Sequence, residues 1–436
     1  CGRGALAMRA SLWLVALFAV AVALALFAGN NQGTVTVYWP PFRVDLSLNL
    51  VVLLLALLFF ILHMALQALG ALTRIPQQAR NWRLLQKERA IHTTLLESLT
   101  HLVAGRFVRA RKTAETALAL EESVERSGER LPYGRRLRAL SHLLAAESAH
   151  ALQDRTVRDI HFQQALQQTA QRDTQDAREG VQLRGARWAL DDRDAPAAMQ
   201  WLDQLPQGAA RRTVALRLRF RAARLAGKSR MALDTARLLT KHRAFSEVAG
   251  RSISRGLAIE LLRDAYDPAQ IAQAWECMDR SEQTMPEVAV EAAERLLAQG
   301  GEATLARQWV LPAWEQMMQR PDAMGWTMRV RLARVLEHSF IQGGEPMDTA
   351  WLTRVEAAQA AYPGDAVLQY LAGVVCMRLG LWGKAQQMLK QALYQSQQTE
   401  LRRDSWLALA QLAEQTGDAT AAAEAYRQAA KRVTQD

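Results

Sequence analysis

Two uninterrupted apolar runs dominate the early pattern. Ser11–Ala28, "SLWLVALFAVAVALALFA", and Leu48–Leu72, "LNLVVLLLALLFFILHMALQALGAL", carry no charged residue over 18 and 25 positions. As helices rising 1.5 Å per residue, both are long enough to cross a bilayer, the first spanning about 27 Å. Between them "GTVTVYWPPFRVDLSLN" alternates apolar and polar positions, breaks at Pro40-Pro41, and alternates again. That period of two predicts a small ribbon lying on the bilayer, with Val35 and Val37 pairing Val44 and Leu46, and with Tyr38, Trp39 and Phe42 at the membrane interface. From about Ile91 onward the two-residue alternation disappears, and the spacing of Leu and Ala predicts helices to the end of the chain.

The helical part repeats itself. "QYLAGVVCMRLGLWGKAQQMLKQAL" (Gln369–Leu393) and "WLALAQLAEQTGDATAAAEAYRQAA" (Trp406–Ala430) superimpose without a gap at an offset of 37 residues. Gly373 aligns with Ala410, Gly380 with Gly417, Ala385 with Ala422, Leu389 with Tyr426 and Ala392 with Ala429. Small residues at the first and third of these sites let two helices approach, and the glycines between them suit a left-handed helix end. Each unit reads as a helix hairpin that resembles the tetratricopeptide repeat. Weaker copies place Gly105 before Phe107, Ala110, Ala114 and Ala117; Gly227 before Ala232; and Asp194 before Ala198. A fourth offers Phe162 and Ala165, with Arg158 where a small residue is expected. Between about 246 and 361 the pairs lengthen, with turns at "YDPAQ", "AQGGEA" and "IQGGEP", giving about nine pairs in all. A hairpin cannot bury its apolar face alone, so stacked neighbours form the core and offer a groove for binding.

Charge adds direction. Arg9 precedes the first run, Arg43 and Asp45 balance in the connector, and the second run is followed by Arg74, Arg80, Arg83, Lys87 and Arg89 against one acid, Glu88. The positive-inside rule places both ends on the cytoplasmic side. A cleaved leader is the rival reading of the first run, since "ALFAGN" offers small residues, but its apolar stretch exceeds a usual leader core. The second run alone would still hold the body inside. Met8 followed by Arg9 reads as the natural start, and "GRGALA" before it lacks the preceding strand that a dinucleotide fingerprint needs. The net charge of +11 is concentrated between Arg211 and Glu260, where thirteen Lys or Arg face three acids. Arg217, Arg219, Arg221 and Arg224 share one predicted helix there. They suit carboxylates or phosphates on a partner protein, on a tetrapyrrole or on the inner leaflet; a solvated basic face is the competing reading. Nucleic acid is disfavoured, because aromatic residues do not interleave the basic ones.

Candidate chemistry is sparse. The chain has no P-loop, G-x-S-x-G, H-E-x-x-H, C-x-x-C or C-x-x-C-H sequence, so no catalytic residue and no metal site are assigned. Cys277 and Cys376 lie far apart inside helical patterns and read as small buried hydrophobes in a reducing compartment. The acid pairs Glu121-Glu122 and Asp191-Asp192 read as solvated helix ends. His142 and His150 lie two turns apart with His161 on the next helix, where packing histidines are commoner than ligands. His63 sits inside the second apolar run and needs a polar partner there: a porphyrin metal, or a hydrogen bond to the first helix through a residue such as Ser11.

Two apolar helices, a G-x-V-x-V-x-W connector with a "VDLS" return, a basic segment, "LLAAESA" in an early repeat and C-terminal tetratricopeptide repeats together resemble the proteobacterial HemY family. The resemblance extends from Met8 to the end of the chain. It implies an inner-membrane protein linked to late haem or porphyrin biosynthesis, with no family catalytic residue to carry over. An unrelated flavin-dependent protoporphyrinogen oxidase shares the name, and this chain lacks a usable flavin fingerprint. The expected fold is all-α: a tail (1–10), a transmembrane hairpin (11–72) with a periplasmic connector (29–47), a basic juxtamembrane segment (73–90) and a cytoplasmic α-solenoid of tetratricopeptide-like pairs (91–436). The expected function is a non-enzymatic scaffold that gathers haem-pathway enzymes at the membrane and holds a haem or porphyrin. The alternative is a general membrane-tethered adaptor in envelope or lipopolysaccharide quality control. Members of that second group with a C-terminal metal-binding cysteine pair would show it, and "YRQAAKRVTQD" has none.

Overall fold

A computed structural model of the protein describes residues 18–23, 25, 26, 29, 33–129, 131, 133–171, 174–342 and 349–431, with backbone alone at 68–81 and 342. Most of the first apolar run, and most of the "IQGGEP" turn, therefore lie outside the described residues. The second run does not. Among the described residues, Leu48–Gln67 is the stretch long and apolar enough to cross a membrane, and none of it is buried inside the protein.

The connector is the ribbon that its alternation predicts. Strands β1 (Thr34–Trp39) and β2 (Phe42–Ser47) pair antiparallel, with Val35 opposite Leu46 and Val37 opposite Val44. The chain reverses at Pro40-Pro41, whose peptide is cis. Ser47 then caps helix α1 (Leu48–Val103), its hydroxyl accepting from the Leu50 amide at 3.4 Å. This helix does not end with the apolar run. It continues through 56 residues, about 84 Å at 1.5 Å per residue, and becomes the first helix of the first hairpin.

Two compact units follow from the packing, residues 1–168 and 169–436. The first pairs α1 with α2 (Phe107–Arg126) and α3 (Gly134–Ala151) with α4 (Arg155–Gln168). In the second, α5 (Gln175–Asp191) pairs with α6 (Ala195–Asp203). After the single turn α7 (Gln207–Ala210), α8 (Thr213–Leu225) pairs with α9 (Ser229–Lys241) and α10 (Glu247–Arg263) with α11 (Pro268–Glu276). Beyond the short α12 (Arg280–Gln283), α13 (Pro286–Ala298) pairs with α14 (Ala303–Gln319), while α15 (Trp326–Gln342) and α16 (Thr349–Ala361) meet through the rings of Phe340 and Trp351, with centroids 6.3 Å apart. The last pairs are α17 (Ala366–Arg378) with α18 (Trp382–Gln395), and α19 (Thr399–Gln415) with α20 (Ala419–Lys431). Among the described residues the helices thus form eight packed hairpins and one looser pair, close to the about nine pairs that the sequence pattern suggests.

One turn recurs in six of them. A left-handed residue stands two positions before the second helix: Gly105, Gln153, Arg193, Gly227, Gly380 and Gly417, with φ between 60° and 79°. The amide after it closes the first helix by bonding five residues back, as Leu381 does to the Cys376 carbonyl at 2.9 Å and Asp418 to Ala413 at 2.8 Å. The carbonyl of that same residue accepts the first bond of the second helix from Ala110, Arg158, Ala198, Ala232, Ala385 or Ala422. The alanines at this point are buried, and Ala110, Ala198, Ala232 and Ala385 are wholly so. A Cβ added at Gly373 would lie 2.7 Å from Leu389 Cγ, so α17 and α18 touch where only glycine fits.

Two details differ from the sequence reading. In the third hairpin the left-handed residue is Arg193, not Asp194, which instead caps α6 by accepting from the Ala197 amide at 2.9 Å. Glu121 is not a solvated end. It is 4% exposed inside the first unit, and Arg138 Nε approaches it at 3.0 Å. Burial raises its pKa against the pull of Arg138.

Candidate interaction surface

The arginines singled out from the sequence lie on α8, and the helix divides them. Arg217, Arg221 and Arg224 follow one another at i, i+4 and i+7 along one stripe, while Arg219 faces another flank. Arg219 donates to the Leu202 carbonyl at 3.2 Å and to Asp203 Oδ1 at 2.8 Å, and so fastens α8 to the end of α6. Arg221 lies 3.9 Å from Asp191, and Arg224 is paired with Glu260 on α10. Arg217 is exposed and makes no ion pair with a described carboxylate. Acids that are distant in sequence therefore neutralise much of this segment. Its free positive charge is smaller than a count along the chain implies.

His63 is exposed on α1 and accepts or shares a hydrogen bond with Gln67 Nε2 at 3.2 Å, one turn away. It also stacks on Phe59 with centroids 6.4 Å apart. Its alternative partner Ser11 lies outside the described residues. The histidines of the first unit come together: His142 Nδ1 on α3 and His161 Nδ1 on α4 are 3.0 Å apart, with ring centroids separated by 5.3 Å. One nitrogen donates and the other accepts, so the two ring nitrogens face each other and share a proton rather than converging on a third point. Burial, then His161 and Arg138, lower the pKa of His142 to about 4. Burial also lowers that of His161, against the opposing pull of Glu115. His150 meets the guanidinium of Arg158 at 3.3 Å, and Arg158, 8% exposed, also reaches Asp159 at 2.8 Å. A polar cluster thus fills the crossing where other hairpins place alanine. Among the described residues, no group of three His, Cys, Asp or Glu side chains is placed to hold a metal ion.

A groove of about 1210 Å³ lies in the second unit. It is lined by Arg237 on α9, Arg255 on α10, Met285, Glu287, Trp326 and Arg331. Most charges here are already paired. Arg237 holds Glu282, whose side chain is 3% exposed, and also meets Asp279 at 3.2 Å; Arg255 meets Glu287 at 2.8 Å; and Arg331 meets Glu291 at 2.8 Å. For Glu291, hydrogen bonds from Arg263 and Arg331 outweigh the upward push of burial and hold its pKa below the usual carboxylate range. Arg251 adds an exposed cation on the rim. Paired charge thus stands beside Met285 and Trp326 along the groove. Sequence reasoning missed this groove because its lining comes from helices spread over about ninety residues.

Comparison with known proteins places the N-terminal part. Residues 33–153 match the family model described as HemY protein N-terminus. No curated protein matches the chain. Among solved structures, Naa15/Naa10 bound to HypK-THB is 12% identical, with a TM-score of 0.24 over 77% of this chain and 58% of its own. The P58(IPK) TPR domain is 15% identical, with a TM-score of 0.20 over 79% and 98%. The APC/C hetero-tetramer Cut9-Hcn1 is 11% identical, with a TM-score of 0.28 over 77% and 65%. The chain spans less than two thirds of the first and third of these. At such TM-scores they carry no argument, and the tetratricopeptide-like assignment rests on the recurrent hairpin turn itself. The matched segment starts at the ribbon, contains the membrane-length helix and the first hairpin, and ends at the left-handed Gln153 after α3. Residues 33–153 of the chain are thus similar to a HemY N-terminus.

Proposed function

We propose that the protein is a membrane-anchored repeat scaffold that binds other proteins, among them enzymes of late haem or porphyrin synthesis. The observation that carries this reading is the unbroken α1, in which a membrane-length apolar segment and the first repeat helix are one element. An anchor continuous with a repeat gives a binding body a fixed station at the lipid surface. The first apolar run would supply a second crossing. In this reading both termini and the hairpins are cytoplasmic and the ribbon is on the periplasmic side of the inner membrane, an orientation supported by the basic residues after α1's apolar part. The groove of the second unit and the exposed Arg217 are the surfaces offered to partners, and the chain contributes no catalytic residue of its own. A tetrapyrrole is the expected small ligand through the family association. Affinity purification of the full chain from membranes, with an absorbance scan for a Soret band and identification of co-purifying proteins, tests ligand and partner together. Recovery of late haem-pathway enzymes supports the reading. Purified chain that converts a porphyrinogen without partners contradicts it, and recovery of envelope or lipopolysaccharide factors instead moves the scaffold to that pathway.

A further inference from the structure

The register of the β1–β2 ribbon sorts its side chains completely. Directly opposed residues share a face, so Val35 with Leu46, Val37 with Val44 and Trp39 with Phe42 make one face that is apolar throughout. Thr34 with Ser47, Thr36 with Asp45 and Tyr38 with Arg43 make the other. The polar face satisfies itself: the Thr36 hydroxyl donates to Asp45 at 2.7 Å, Arg43 Nε reaches the same carboxylate at 3.4 Å, and its guanidinium lies 5.6 Å from the Tyr38 ring centroid. The apolar face has no such cover. Trp39 and Phe42 are 76% and 70% exposed, and Val37 and Val44 are nearly half exposed. In water this is a poor surface for a two-stranded ribbon, which is marginal on its own.

We infer that the apolar face of the ribbon, Val35, Val37, Trp39, Phe42, Val44 and Leu46, is seated on the lipid bilayer beside the point where α1 enters it. This deepens the anchoring part of the proposed function and rests on Leu48–Gln67 crossing the membrane. Lipid is favoured over a protein occupant by continuity. The Leu48 amide, at the first residue of the apolar helix, bonds to the Gly33 carbonyl at 2.8 Å, so the ribbon's base is fixed where the helix starts. Six residues at about 3.3 Å each keep its tip within about 20 Å of that point. The tip carries the aromatic residues that membrane interfaces favour. Arg43 and Asp45, the ionisable residues of the ribbon, pair with each other, so the seat requires no anionic headgroup. The ribbon sets the depth at which Leu48 meets the interface.

The test uses the full chain with Cys1, Cys277 and Cys376 replaced by alanine, reconstituted in phosphatidylcholine vesicles. One new cysteine at a time carries an environment-sensitive fluorophore, in V37C, V44C, T34C, T36C and, as a membrane control, L57C. The inference predicts that nitroxide lipids quench the probes at 37 and 44 several-fold more than those at 34 and 36, and that 1 M salt leaves this difference in place. Equal quenching on both faces, with position 57 still quenched, overturns the ribbon seat and leaves the anchor intact. Unquenched probes at 37 and 44, together with disulfide-linked dimers when the same unlabelled cysteine variants are oxidised in the vesicles, assign the face to a second copy and also overturn it. Loss of quenching at 57 overturns the anchor itself.

Discussion

Arg237 shows how a single side chain can hold several elements of the second unit. It donates to Glu282, to Asp234 at 2.9 Å on its own helix and to the Cys277 carbonyl at 3.2 Å, and the hydrogen bond it gives to Glu282 raises its own pKa. Arg237→Ala leaves the Glu282 carboxylate buried without its cation. The expected loss is about 3 kcal/mol of stability, read as a lower midpoint in urea unfolding. His142 makes a prediction in pH. Its pKa in the folded protein is depressed to about 4 by burial, so the unfolded chain binds the proton more readily below about pH 6.5. Stability of the first unit therefore falls as pH drops from about 6.5 towards 4, and His142→Asn flattens that slope in amide hydrogen exchange of α3 and α4. Glu337 carries the opposite sign. Burial raises its pKa, despite the Tyr370 hydroxyl that donates to it at 2.6 Å, so it favours the fold below the unfolded carboxyl pKa and that contribution is lost as pH rises. Glu337→Gln should leave stability at neutral pH unchanged or raise it by up to about 1 kcal/mol in the same unfolding assay.

At the scale of the hairpin, turn chemistry decides what a sequence reveals. Gly105, Gly227, Gly380 and Gly417 announce their turns, because glycine adopts a left-handed backbone without a Cβ penalty. Gln153 and Arg193 do the same task with a side chain, as does Arg243 after α9, and nothing in their identity marks them. Only the neighbouring alanine pattern located those hairpins, which is why the left-handed position in the third was displaced by one residue. Replacing Arg193, Gln153 or Arg243 with glycine should stabilise the protein by about 0.5–1 kcal/mol each, whereas Gly380→Ala should cost about 1 kcal/mol. Gly373→Ala should cost more, about 2 kcal/mol, because its methyl would meet Leu389 as well. Thermal unfolding of these variants checks the set. The ribbon was legible for a different reason: its period of two is unmistakable beside helical sequence, and its register follows from placing the reversal at Pro40-Pro41.

For the whole molecule, what escaped the sequence was long-range pairing. Thirteen cations between Arg211 and Glu260 look like an open basic face. Folding brings Asp191 and Asp203, from outside that window, and Glu260 against three of the four singled-out arginines. His142 and His161 are unremarkable nineteen residues apart until α3 and α4 fold back on each other. The membrane-length helix needed no tertiary information, since apolar length alone defines it. The groove needed all of it. If this protein works by binding other proteins, the most direct measurement is photo-crosslinking in intact cells from Thr327, on the groove lining, compared with Tyr394, which is 92% exposed and outside it. Protein adducts that form from position 327 and not from 394, and that contain late haem-pathway enzymes, are the predicted result. Absence of any protein adduct from position 327, with the full chain in the membrane and folded, would contradict the account.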